Sequence, residues 1–410
     1  MKSAPDLIFA QARIFDGFSD TLTEPRWVRV SAGRIAEISD RPLPGEDIQT
    51  IDARGRTLMP GLIDAHFHAY AADANIPRLE AQPLSYLAHH ARHLLEGALR
   101  RGFTTVRDAG GADYGLWRAT EEGLINGPRL FFSGRALSQT GGHGDSRAQH
   151  IEPCDCRFIA NLSEIADGVD AVRSAVRETL RRGAHQIKIF VSGGVASPTD
   201  PIWMVQFSED EIQAIVQEAA SRRTYVLAHA YTGESIERAV RCGVRSIEHG
   251  NLMTESAART MAEHGAFLVP TLATYDAMLR WGAQEGFPLE AQMKLRDVAT
   301  KGLSAIEMAR NAGVKIGFGT DLLGRTHAHQ LHEFRLRAEG ERPVDILRSA
   351  TTVNAELLNQ AEELGCVREG AYADLLLIEG NPLEDLGVLW REPNGIRLVM
   401  KEGRVVFCAI

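Results

Sequence analysis

Eight short β-branched runs separated by longer amphipathic stretches fill the middle of this chain, and that alternation limits its fold more than any other feature. Residues 61–66, 104–107, 130–133, 186–190, 225–228, 245–249, 266–270 and 315–319 read as strands. Between them, residues 86–101, 165–182, 209–221, 235–242, 255–264 and 300–312 carry apolar side chains at helical spacing. Gly102, Gly183, Gly243 and Gly265 follow several of these segments as stop signals. Parallel strands need crossover connections, and eight such units over this length predict a (β/α)8 TIM barrel rather than an open doubly wound sheet. No GxGxxG follows the first strand, which weakens a dinucleotide-binding alternative.

Both ends of the chain differ in texture from the middle. Residues 1–58 and 366–410 read as short strands joined by turns, and each end carries a strand-turn-strand with a Gly-Arg step, Gly33-Arg34 and Gly403-Arg404. The expectation is therefore an α/β fold in which a barrel, residues 59–365, is inserted into one small β-sandwich domain built from 1–58 plus 366–410. Two non-periodic stretches, 139–157 and 271–295, follow strands three and seven. Loops after barrel strands lie on the catalytic face, so both are expected to act as lid or specificity loops.

Composition narrows the functional classes. Lys and Arg number 45 against 54 Asp and Glu, a net charge of −9, which argues against a nucleic-acid or anionic-membrane partner. Five cysteines in 410 residues cannot form a disulfide framework. The start of the chain has no uninterrupted apolar region and no apolar run reaches membrane-spanning length. A cytoplasmic protein acting on a small molecule is expected, assembled as a homo-oligomer.

The ends of the predicted strands carry the chemistry. Strand one ends in Asp64-Ala65-His66-Phe67-His68, and a period of two places His66 and His68 on one side, suited to a shared metal. Lys188 lies in strand four, His229 ends strand five, His249 ends strand six and Asp321 follows strand eight. Each alone is a common structural residue. All six together at strand ends, in barrel order, point to a metal centre.

Met59-Pro60-Gly61-Leu62-Ile63-Asp64-Ala65-His66-Phe67-His68 resembles the opening signature of the amidohydrolase superfamily. The resemblance extends through Lys188, His229, His249 and Gly319-Thr320-Asp321. Thr140-Gly141-Gly142-His143, Lys188-Ile189-Phe190-Val191-Ser192-Gly193-Gly194, His229-Ala230-Tyr231 and Ile247-Glu248-His249-Gly250 are similar to the prolidase-like branch of Xaa-Pro dipeptidases, related carboxypeptidases and ochratoxin amidohydrolases. The resemblance implies two divalent ions, with zinc expected. His66 and His68 would hold one and His229 and His249 the other, with a CO2-carboxylated Lys188 and a hydroxide bridging them. Asp321 would be both ligand and proton shuttle. Burial among Ile187, Ile189 and Phe190 would lower the lysine pKa in the direction carboxylation needs.

Tyr231 and His143 are placed as donors to a tetrahedral oxyanion. A substrate carboxylate needs a cationic or NH-rich cradle, for which Arg147, Arg325 and the amides around Gly193-Gly194 are candidates; His327 and His329 could line the pocket. Trp203, Met204, Tyr275 and Trp281 offer apolar walls, and Cys154-Asp155-Cys156 lacks the second pair a thiolate site requires. The expected activity is hydrolysis of an amide next to a C-terminal carboxylate, in a dipeptide such as Xaa-Pro or an N-acyl amino acid. A cyclic amide or lactone hydrolase is the runner-up, and an inactive interaction protein the alternative from another class.

Overall fold

The computed structural model describes residues 5–45, 47–147, 162–197 and 199–410. Its terminal strands form one mixed sheet in the order Arg404–Cys408, Ile396–Lys401, Leu375–Ile378, Thr57–Pro60, Leu7–Ile14, Arg26–Ser31 and Arg34–Ser39, with Gln49–Asp52 also pairing Leu7–Ile14. Alternation places Leu7, Phe9, Val28, Val30, Leu58, Leu375, Leu377, Leu398 and Met400 in one buried cluster. The two ends of the chain meet where Thr57–Pro60 pairs antiparallel with Leu375–Ile378. Beyond that strand the Gly61 amide donates to the Asp374 carbonyl at 2.8 Å, and the chain passes straight into the first barrel strand.

That strand, Leu62–Phe67, runs parallel to Phe103–Asp108, which pairs with Arg129–Phe132. A second parallel set runs Ala136–Ser138, Ile187–Phe190, Val226–Thr232, Ser246–Leu252, Phe267–Val269 and Lys315–Ile316. Two seams close the ring. His185 donates its amide to Phe132 at 2.8 Å, and across the other seam Ala65 donates to Phe318 and Asp321 to His66, each at 2.8 Å. The result is the expected barrel, with Ser163–Ile165 as an extra edge strand on Ala136–Ser138.

Local signals account for the helices. Glu209–Ser221 begins at Ser208 with a capping box to Glu211, and Gly233–Arg241 and Glu255–Glu263 are capped by Thr232 and Thr254. Leu84–Arg100 buries Leu87, Ala91, Leu95, Ala98 and Leu99, a single stripe against the barrel. The stretch after strand seven corrects the loop expectation: it contains helices Leu272–Glu285 and Leu289–Val298. The first buries Leu272, Ala273, Thr274, Tyr275, Ala277 and Met278, so it is covered on several sides and shows no single apolar stripe in sequence. No helix among the described residues is long and apolar enough to cross a membrane. The Cys154-Asp155-Cys156 triplet and most of the stretch after strand three lie outside the described residues.

Candidate metal centre

His66, His68, Lys188, His229, His249 and Asp321 line one cavity at the C-terminal mouth of the barrel. Donor atoms of His66, His249 and Asp321 lie within 4.8 Å of one another, a group able to hold a metal ion. The His66 and His249 ring centroids are 5.1 Å apart, and those of His229 and His249 4.6 Å.

Each imidazole is held by one nitrogen. His66 Nδ1 donates to Glu248 Oε2 at 2.7 Å, His68 Nδ1 to the Gly110 carbonyl at 2.9 Å, and His229 Nε2 to the Gly193 carbonyl at 3.2 Å. His249 Nδ1 meets Thr271 Oγ1 at 2.7 Å. These contacts fix the tautomers of His66, His68 and His229 and leave the opposite nitrogen's lone pair for a ligand. On the free side, His66 Nε2 and His68 Nε2 lie 3.4 and 3.1 Å from Asp321 Oδ1. Burial lowers the pKa of His229 and His249 well below the usual histidine range and so favours the neutral, ligating form. Burial likewise brings Lys188 down to about 8.

The backbone at the mouth is strained. His249 and Asp321 adopt φ of 75° and 52°, a left-handed conformation that non-glycine residues adopt at a cost of about 1–3 kcal/mol. Asp64 anchors the Asp321 turn: it accepts from the His66 and Thr320 amides, the Thr320 hydroxyl and Gln330 Nε2 at 3.0, 3.1, 2.6 and 2.8 Å. At Gly319 a Cβ would sit 2.7 Å from His66 Cβ, so glycine is required for the first and last strands to approach.

Two predicted donors face the same cavity. Tyr231 Oη accepts from Tyr275 Oη at 3.1 Å, which leaves the Tyr231 proton available, and burial keeps that phenol protonated. His143 stacks on His229 with centroids 4.3 Å apart. Its Nδ1 lies 2.7 Å from Ser197 Oγ and 3.3 Å from Asp200 Oδ2, while Lys294 sits 3.6 Å from the other oxygen of Asp200. A Cβ at Gly194 would come within 2.0 Å of His143 Cε1, so the ring rests directly on that backbone.

The structure does not bring the expected carboxylate readers together in this cavity. Arg147 forms a two-pronged pair with Asp145 at 2.7 Å and is absent from the cavity lining. Exposed Arg325 lines a different cleft with Arg78 and Arg101, and His327 lines that cleft too. His327 packs on Phe67 at 4.8 Å, and burial lowers its pKa to about 3. His329 stacks on Trp281 at 3.8 Å, away from the metal ligands, and Trp203 is 73% exposed. Tyr275 is a cavity wall, joined there by Thr274 and Met278 from the same helix.

Glu248, Arg107 and Asp64 were given no role by the sequence, although Asp64 and Glu248 stand inside the motifs that carry the resemblance. Arg107, fully buried, donates to Glu248 Oε1 at 2.8 Å and to the Ala65 carbonyl at 2.6 Å, linking strands one, two and six behind the ligands. The available signal was a charged residue inside each of three strands, Asp64 in Leu62–Phe67, Arg107 in Phe103–Asp108 and Glu248 in Ser246–Leu252.

A barrel whose strand ends gather imidazoles, a lysine and an aspartate around one cavity defines a metal-dependent hydrolase of the α/β class. The chain belongs to the amidohydrolase family, which it matches over residues 57–406. It is 36% identical over 387 residues to ochratoxinase from Aspergillus niger, covering 90% of this chain and 79% of that protein. Among solved structures, a prolidase complexed with N-methylphosphonate-L-proline shares 51% identity at a TM-score of 0.96, over 98% of this chain and 100% of the other. A Xaa-Pro dipeptidase with bound methionine in its active site shares 30% identity at a TM-score of 0.88, over 98% and 100%. The chain is thus an amidohydrolase enzyme of the prolidase and ochratoxinase type.

Proposed function

We propose that this enzyme hydrolyses an amide bond next to a C-terminal carboxylate, in an Xaa-Pro dipeptide or an N-acyl amino acid, at a two-metal centre. The observation that carries the reading is the shared cavity of His66, His68, Lys188, His229, His249 and Asp321, with each imidazole held by one nitrogen. Nitrogen and oxygen donors of this kind suit zinc. Lys188 forms no ion pair among the described residues and is brought by burial toward the neutral amine, the form whose lone pair attacks CO2 and then loses a proton to give a carbamate. As a carbamate it would offer two anionic oxygens where an ammonium would repel cations.

Bound divalent ions make hydroxide available from water near neutral pH and polarise the scissile carbonyl. Asp321, beside both His66 and His68, takes the proton of the attacking water on its carboxylate and passes it to the leaving nitrogen. Tyr231 donates its free proton to the developing oxyanion, and His143, braced by Ser197 and Asp200, assists. N-methylphosphonate-L-proline, the ligand of the prolidase relative, carries a tetrahedral phosphorus on a proline nitrogen, the shape an acyl-proline amide takes when water adds. That supports a proline on the leaving side.

Purified protein supplied with Zn2+ and bicarbonate should release free amino acid from members of a dipeptide and N-acyl amino acid library. No release from any member, with two metals bound per chain, would overturn the amide reading.

A further inference from the structure

The cavity that gathers the metal ligands is also lined by Glu80, the last residue of the short helix Ile76–Glu80 after barrel strand one. Its carboxylate accepts from the Ser146 hydroxyl and the Leu162 amide, both neutral donors. No salt bridge to Glu80 is seen among the described residues; Arg135 and Asp145 act on it electrostatically in opposite directions. A carboxylate offers about four acceptor sites, so two donors leave capacity unused. Burial, the largest influence, raises the Glu80 pKa against the lowering by Ser146, Leu162 and Arg135, as expected of an acid removed from water. Around it the cavity wall is largely apolar, with Ile76, Leu162, Met278 and Leu323.

The two substrate classes of the proposed reaction share the scissile amide and the terminal carboxylate. They differ at the acyl carbon, where a dipeptide carries an ammonium and an N-acyl amino acid carries none. We propose that Glu80 binds the α-ammonium of a dipeptide substrate and so sets the enzyme toward free dipeptides over N-acyl amino acids. This inference rests on the amide-hydrolase reading above. The competing role for Glu80 is purely structural, holding the Ser146 segment.

The test compares Ala-Pro and N-acetyl-proline as substrates of the zinc-loaded enzyme and its Glu80→Gln variant, which keeps an acceptor for Ser146 but removes the charge. A charge-assisted contact of ordinary strength predicts that kcat/KM for Ala-Pro falls about tenfold or more. The rate with N-acetyl-proline should hold, and that substrate also reports that the variant is folded. Equal losses on both substrates, or none on either, would overturn the ammonium role while leaving the amide-hydrolase reading intact. Failure of the parent enzyme on both substrates would overturn the two together.

Discussion

Replacing Glu248 with Gln should cost two quantities that are measurable separately. Burial alone would raise the Glu248 pKa, but Arg107, His66 and Lys188 outweigh it and hold the carboxyl well below its usual range, so Glu248 is ionised. The amide keeps the shape and removes the charge, leaving the Arg107 guanidinium, fully buried and 2.8 Å away, without its counter-ion. Breaking a buried pair from one side costs about 3–5 kcal/mol, which metal-free protein in chelator should show on denaturation. Glu248 also holds His66 Nδ1 at 2.7 Å, and losing such a carboxylate behind a metal-ligating histidine weakens metal binding about 10–100-fold. With zinc near saturation this adds about 1.4–2.8 kcal/mol to the loss. Denaturant titrations with chelator and with zinc, plus a competitive zinc-binding assay, separate the two parts. If Glu248→Gln unfolds at the parent's denaturant midpoint in chelator and binds zinc as tightly, the link from Arg107 through Glu248 to His66 carries neither function.

Other perturbations address the centre and its supports. Lys188→Ala should lose metal and turnover together, whereas Asp321→Asn should retain at least one metal and lose turnover by about a hundredfold or more; a fully active Asp321→Asn enzyme excludes the proton-transfer role. Gly194→Ala places a Cβ within 2.0 Å of His143, so the ring must leave its stack on His229. Its kcat should drop with the thermal midpoint little changed, and an unaltered kcat would remove His143 from the reaction. His185 accepts from the Phe132 amide and packs among Phe131, Phe132 and Trp117. Burial depresses its pKa from 6.5 to about 4. Stability from this group is therefore complete above pH 6.5 and is lost as pH falls toward 4, with a slope of at most about 1.4 kcal/mol per pH unit. His185→Gln should flatten that limb of the stability profile.

The legible residues are those whose position follows from topology alone. A parallel barrel brings its strand ends together, so His66, His68, Lys188, His229, His249 and Asp321 could be grouped before any contact was known. The helix Glu209–Ser221 was equally legible because Ser208 and Glu211 mark its start. Arg147 and Arg325 could not be placed in the same way, because nearness in sequence to the site does not set side-chain direction. Arg147 turns back on Asp145, and Arg325 sits in the 3-10 helix Gly324–His329, facing another cleft. Leu272–Glu285 lacked a stripe because it is buried on several sides, and Glu80 was passed over because a turn of helix after strand one carries no periodic signal.

The pairing of Thr57–Pro60 with Leu375–Ile378 also bears on the order in which the protein is made. His66 and His68 leave the ribosome early, while the strand that flanks their lead-in segment emerges only after the whole barrel has been synthesised. Asp321, which closes the ring against His66, is also late. The centre therefore stays incomplete until well after its first two ligands have emerged, and a chain cut short before residue 375 would release a barrel whose first strand still lacks the neighbour that holds its entry in place.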